Sequence, residues 1–515
     1  MIYIFYNPFR SSTQFLSVNI MILFEIFSQV CYSNLKLTST IPTMDIHLFW
    51  IVLFSFMGRG HIVKTLIKNG TLVDPYNHIM GKLNLLLDEG RVLEVTKGEP
   101  AAERVIDASG RVVAPGFIDI HMHEDFVGDD GRLEQDEDKA IFNCMVRMGV
   151  TTVLGGECGI NRYDPVKYLD LVDRSGAAVN VALLVGDSWL REAMGHEDKY
   201  TAVSDDELRA MVSYGEKALD AGCFGVSFGI RYSPGIDQRE LDGMMALCRR
   251  HGAMTAAHVR DDAAQIFSAA HEFLDAARKQ GIPAQFSHIG SMAAFGQMED
   301  FLAMIGEYRM NGLDVACDCY PYYAFSTAIG SATYDEGWLA RYQCGYDAIE
   351  MCEGRYKGQR CTKEIFEEER RNHPEYLTVA YVMKDREVDM ALAHPLVMVA
   401  SDGILNHGEG HPRAAGAFLR VFSRFVRKGK LSLYDAIDKM TAMPAKRMHL
   451  ARKGQLGRGA DGDIVIFDPE TVTDCASFAN PLQPGKGLDY VLIGGEVAVQ
   501  NNRLVNGHLG KAVRR

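Results

Sequence analysis

The sequence has no apolar stretch long enough to cross a bilayer, no excess of basic charge, no low-complexity block, no internal repeat and no CxxC pair. Each absence closes off a class of function. The most apolar runs, "FLSVNIMILFEIF" and "IHLFWIVLFSF", lie before residue 57. Each falls short of the roughly 20 residues a spanning helix needs, and Glu25 interrupts the first. A secretory leader would need a basic start and a small-residue cleavage site, and neither is clear. Met44 and Met57 fall inside this segment, and domain-like sequence begins just after the second. Residues 1–57 are therefore expected to be a non-domain segment that reflects an over-long start, and membrane attachment is not expected. A formal charge of -13 argues against nucleic acid, which needs a basic footprint. The 11 cysteines, odd in number and scattered, suggest reduced thiols in a cytoplasmic protein. Nothing in the composition sets an oligomeric state.

What is present is a chain of 515 residues, 47% hydrophobic and 23% charged, enough for one α/β barrel with a small attached domain. Within it "RVVAPGFIDIHMHEDF", residues 111 to 126, places His121 and His123 at the end of an apolar run that follows the Pro115-Gly116 breaker. Residues i and i+2 of a strand share a face, so the two imidazoles lie close together. Neutral ring nitrogens in that arrangement suit a divalent metal. Taken alone, the pair is equally a polar pair at a strand mouth.

The rest of the chain gives the pair a context. Residues 58–114 form short β-like runs with turns, and residues 441–515 return to the same texture in "GADGDIVIFDPETV" and "DYVLIGGEVAVQNNRLV". A small β-sandwich domain built from both termini is expected. Between them, residues 115–440 alternate apolar strands with amphipathic segments such as "SDDELRAMVSYGEKALDAG". That alternation predicts parallel strands, and a (β/α)8 TIM-like barrel is the simplest closed solution.

Barrel chemistry sits at the C-terminal strand ends. His121, His123, Cys158, His258, His288 and Asp402 all end such strands. Singly, a buried cysteine is a small hydrophobe and an Asp after a strand is a helix cap. Six such residues at one end of the strands are hard to read that way.

These residues and their surroundings resemble the amidohydrolase superfamily, specifically the N-acyl-D-amino-acid deacylase (D-aminoacylase) group. The resemblance covers roughly residues 60–515 and rests on "APGFIDIHMHEDF", "GVTTVLGGECG", "GVSFGIRYSPG", "AHVRDD", "SHIG", "DCYPYYAFS", "SDG" and "HPRAAGAFLRVF". It implies a tightly held Zn2+ on Cys158, His258 and His288, with His121, His123 and Asp402 forming a second position, weakly or partly occupied. Most superfamily relatives bridge two metals with a carboxylated lysine after strand four. "GVSFGIRYSPG" offers none, so Cys158 supplies the anion, with Glu157 the rival.

The resemblance further implies hydrolysis of a small N-acyl amino acid. Asp402 takes the proton of a metal-activated water and returns it to the leaving amine. Arg413 matches the carboxylate-binding arginine, and Tyr320 and Ser326 match its hydroxyl contacts. One position departs from the pattern: relatives carry a lysine two residues after the second zinc histidine, where this chain has Gly290. Residues 335–390, charged and helix-rich in pattern, are expected to form a lid-like insertion between the seventh and eighth strands. Two other readings stand beside the deacylase. A cyclic-amide hydrolase of the hydantoinase or dihydroorotase type is disfavoured by the missing lysine and by the YPY and HPR motifs. A non-catalytic scaffold is disfavoured because all six ligand positions are kept.

Overall fold

Gly116 divides the apolar run that leads to His121. A side chain at this position would collide with Thr151 at 2.1 Å, so the backbone passes close and changes partners here. Val112–Pro115 before it pairs in one sheet, and Phe117–Asp119 after it begins another. This computed structural model describes residues 62–515 apart from positions 135 and 138. The expected N-terminal segment, residues 1–57, lies outside the described residues.

The second set of strands is parallel throughout. We label them β1 (Phe117–Asp119), β2 (Val150–Gly155), β3 (Asn180–Leu183, continued by Val185–Gly186) and β4 (Gly225–Gly229). They are followed by β5 (Met254–His258), β6 (Ala284–Phe286), β7 (Val315–Cys319) and β8 (Val397–Val399). Each pairs with the next from β1 to β3, the continuation of β3 pairs with β4, and β4 to β8 follow in order. Just past their ends the first and last strands meet. Met122 bridges Gly403 in parallel, the Asp402 amide donates to the His121 carbonyl at 2.8 Å, and Asp119 Oδ1 accepts from the Ser401 amide at 3.0 Å. Their residues are buried almost without exception, which is why they read as continuous apolar runs rather than alternating ones. Helices fill the connections. Asp205–Asp220, for example, starts at a reciprocal cap in which Ser204 and Glu207 satisfy each other's backbone amides.

Both ends of the described chain build two further sheets. One has the order Arg91–Thr96, Asn84–Asp88, Thr65–Lys68, Arg104–Asp107. The other has seven strands, in which Val112–Pro115 lies between Thr71–Asp74 and the C-terminal strand Ile464–Phe467. Leu72, Leu85, Val113, Ile464 and Leu492 are packed into a common core there. The extreme C-terminus leaves these sheets: Gly510 bridges Ala177, Ala512 bridges Val181, and the Arg515 amide reaches the Gly222 carbonyl. The helix Ala442–Arg447 likewise turns away from them, burying Ala445, with Met448 beyond its end, against Ile118 and Leu154.

The insertion between β7 and β8 holds more strand than its charge pattern suggests. Phe325–Ala328, Leu377–Ala380 and Ile349–Met351 form an antiparallel sheet. The helices Trp338–Tyr342, Lys363–Asn372 and Asp385–Ala393 carry the expected helical texture. Phe366 buries the one apolar face of the second against Trp338, at 5.1 Å between rings. Short strands with one buried face leave little signal among so many charges.

Candidate metal centre

The six residues singled out at the strand ends come together. His121 and His123 follow β1, Cys158 follows β2, His258 ends β5, His288 follows β6 and Asp402 follows β8. Their ligating atoms form two overlapping groups, His121–His123–Cys158–Asp402 and Cys158–His258–His288, with all atoms of each group within 4.8 Å of one another. Cys158 belongs to both. Its Sγ lies 3.4 Å from His121 Nε2 and 3.3 Å from His288 Nε2. Asp402 Oδ1 stands 3.5 Å from the Nε2 atoms of both His121 and His123.

The backbone is bent to reach this arrangement. Cys158, His288 and Asp402 all have left-handed φ angles, of 54°, 34° and 47°. Such conformations cost on the order of 1–3 kcal/mol each away from glycine and persist where surrounding structure enforces them. Glu157, in contrast, points behind the cluster. Its carboxyl is fully buried without a hydrogen-bond partner, 3.9 Å from His121 Nδ1. Burial pushes it up to about 8.

The donor set fits a thiophilic divalent metal. Both ring nitrogens of His258 are buried and lack any hydrogen-bond partner, a costly arrangement that a ligated ion relieves. Burial holds His258 well below the usual imidazole range and His288 down to about 4, so both stay in the neutral form that ligates. Burial also pushes the Cys158 thiol up to about 12, against the pull of His121. A nearby cation is therefore what would make it a thiolate.

Asp402 is anchored differently. Burial would raise its carboxyl, but Arg413, His288, His123 and His121 outweigh that and hold it ionised far below the carboxylate range. Arg413 Nη1 lies 2.8 Å from Asp402 Oδ2, a charge contact whose angle leaves Nη1 and Nε without hydrogen-bond partners. The Arg413 guanidinium sits 4.7 Å above the Tyr320 ring. Tyr320 is fully buried with its hydroxyl toward Met383 Sδ, so it supports Arg413 from below. Ser326 lines the cavities on both sides of Asp402, and its hydroxyl has no partner. One of these cavities, about 730 Å³, is bordered by His123, Asp402 and Arg413. The other is smaller and bordered by His258 and His288.

Three contributors were not singled out from the sequence. Asp318, inside "DCYPYY", accepts from the His288 amide at 2.8 Å and lies 3.3 Å from His121 Nδ1, tying two ligands to one carboxylate. A charged residue wholly buried in an apolar strand was the available signal. Tyr232 borders both cavities and packs on His258 at 4.5 Å. His411 accepts the Arg413 amide at 3.0 Å and fixes the turn that delivers the guanidinium. Gly290 is boxed in: a Cβ there would meet Cys319 Sγ at 3.0 Å and Met383 Cε at 3.1 Å.

Comparison with known proteins finds related chains. A model described as Amidohydrolase family matches residues 104–160 and 366–499. An N-acyl-D-glutamate deacylase of Alcaligenes xylosoxydans xylosoxydans is 33% identical over 428 residues, covering 76% of this chain and 85% of that protein. A D-aminoacylase of the same organism is 32% identical over 488 residues, covering 87% and 97%. The crystal structure of a Bordetella bronchiseptica N-acyl-D-glutamate deacylase, complexed with zinc and a phosphonate mimic of the tetrahedral intermediate, superposes with a TM-score of 0.78. It is 29% identical and covers 88% of this chain and all of that one. The chain belongs to the D-aminoacylase family of N-acyl-D-amino-acid deacylases, within the amidohydrolases.

Proposed function

We propose that the chain is a zinc-dependent hydrolase that removes the acyl group from N-acyl-D-amino acids, a linear-amide C–N hydrolase. The observation that carries this is the Cys158–His258–His288 group with Asp402 beside it and Arg413 on Asp402. In this reading Cys158, His258 and His288 hold one zinc tightly, and His121, His123 and Asp402 offer a second site. Bound zinc supplies a Lewis acid and brings the ionisation of water near neutrality. Asp402 takes the proton of the attacking water and delivers it to the departing amine. Arg413 and Ser326 hold the α-carboxylate, with the unpartnered guanidinium Nε and the unpartnered Ser326 hydroxyl among the donors. That carboxylate competes with Asp402 for Arg413, which loosens the pair as the substrate seats. Tyr232, kept a neutral phenol by burial, would donate to the scissile carbonyl. Residues 115–440 are read as a (β/α)8 barrel, and residues 62–114 with the C-terminal strands between 464 and 504 as a sandwich domain. The segment 335–390 is read as a lid.

A cyclic-amide hydrolase has less support, because β4 ends in Gly229 and offers no bridging lysine. The test is kcat/KM for N-acetyl-D- and N-acetyl-L-methionine with zinc added, in wild type and Arg413→Lys. The D form should be preferred by more than about a hundredfold, the cost of misplacing the carbonyl by about 1 Å. Arg413→Lys should lose at least about tenfold, since a bidentate fork becomes a point charge. Equal rates for both hands, or indifference to the arginine change, would remove the carboxylate clamp.

A further inference from the structure

The smaller cavity runs from Ser326 to His258, His288 and Asp402, and its far wall is Asp262 and Tyr342. Asp262 comes from the loop after β5, whereas Tyr342 ends the insertion helix Trp338–Tyr342. The Tyr342 hydroxyl donates to Asp262 Oδ2 at 2.6 Å, so the insertion roofs this pocket through that bond. Two arginines flank the same carboxylate. Arg231 Nη2 and Arg341 Nη1 each lie 3.6 Å from Asp262 Oδ1. Both also approach Asp261, Arg231 in a close ion pair and Arg341 at 3.9 Å. Asp262 is 2% exposed, and its Oδ1 faces both guanidinia without a hydrogen bond to either.

The charges in this wall cancel: two guanidinium groups stand against two carboxylates. Under the deacylase reading, on which this inference rests, the substrate's α-carbon bridges a carboxylate at Ser326 and an amide at His258 and His288. Its side chain is then the group that meets Asp262 and Tyr342. We propose that Asp262 sets side-chain specificity: by neutralising Arg231 and Arg341, it makes the pocket select D-amino acids with uncharged side chains. An acidic side chain would find both cations already committed and a buried carboxylate between them. The remaining wall carries no charge: Phe325 and Met292 stand there beside the hydroxyl side chains of Ser291, Thr327 and Thr333.

Asp262→Asn is nearly isosteric and still accepts the Tyr342 hydroxyl, so it changes charge with little change of shape. The experiment measures kcat/KM for N-acetyl-D-methionine, N-acetyl-D-glutamate and N-acetyl-D-lysine on the zinc-loaded full chain. Wild type should favour the methionine substrate over the glutamate one by more than tenfold. Asp262→Asn should shrink that ratio at least tenfold, mainly through KM for the glutamate substrate. Arg341→Met, which leaves Asp262 underneutralised, should instead raise the lysine substrate relative to the glutamate one. A wild type that prefers N-acetyl-D-glutamate, or ratios unmoved in both folded variants, overturns the assignment. The same ordering is read without turnover as Tm shifts from N-methylsulfonyl-D-methionine and N-methylsulfonyl-D-glutamate, which cannot be deacylated. An enzyme inert to every D-amide would end the deacylase reading. The Tm ordering would still decide whether Asp262 sorts side chains by charge.

Discussion

Cys158 carries more of the site than any other side chain, because both ligand groups use it and, among the described residues, the group of His258 and His288 holds no second anionic ligand. A serine there keeps the size but gives a hard, reluctantly ionised oxygen where zinc prefers thiolate. Cys158→Ser should lower zinc retained after dialysis against a weak chelator by more than about tenfold, while His121→Asn should lose less. Equal retention in the two variants would take the tight site away from Cys158. Asp402 is separable from metal binding because it belongs only to the other group. Asp402→Asn should keep zinc and lose roughly 10²–10⁴-fold in kcat, the usual worth of a positioned base. Near-normal turnover would hand the base to another carboxyl, such as buried Glu157.

Elements, rather than single residues, decide how the ligands converge. The loop after β2 must turn sharply to deliver Cys158, and it does so at Gly156, φ +73°, where a Cβ would lie 2.1 Å from the Leu184 carbonyl of the neighbouring β3 connection. Gly156→Ala should cost at least on the order of 1–3 kcal/mol, read as a Tm drop, and should weaken zinc retention with it. Gly195→Ala meets nothing within 4 Å at a similarly positive φ, so it should cost less. Comparable Tm losses would mean that backbone strain alone, not the contact with β3, governs the loop. Elements also explain what was legible in the sequence. Parallel strands buried on both faces announce themselves as apolar runs, so β1 to β8 and the polar residues at their ends could be read from pattern. The strands of the insertion could not, because segments such as Ile349–Met351 sit among charges and outside any apolar run. Asp318 and Tyr232 escaped for another reason: each lies inside a motif whose neighbours drew attention, and their roles depend on which strands become adjacent in space. The paths of Gly510 and Arg515 back to the parallel strands depend on tertiary packing that no local pattern encodes.

The parallel strands and the flanking sheets share one helix, Leu433–Met440, and within it Lys439 is almost wholly buried. Its ammonium donates to the His394 and Val397 carbonyls, the second at 2.8 Å, on the approach to β8. Burial brings its pKa down to about 8 from 10.5. Between those values the unfolded chain binds more protons than the folded one, so stability rises with pH across that window. Below it the buried charge costs up to about 3 kcal/mol. The urea-unfolding free energy of wild type relative to Lys439→Met should therefore shift in favour of wild type from pH 8 to pH 10.5. A constant difference would mean that the lysine keeps its ordinary pKa. The seven-stranded sheet bears on the order in which the molecule can be made. Val112–Pro115 acquires its C-terminal neighbour only when Ile464–Phe467 has been synthesised, some 350 residues later. At about 5–20 residues per second the ribosome takes roughly 20–70 s to get there. Through that interval the nascent chain carries an open, apolar strand edge that its own remaining sequence must cap, which makes it a natural client for chaperones during translation.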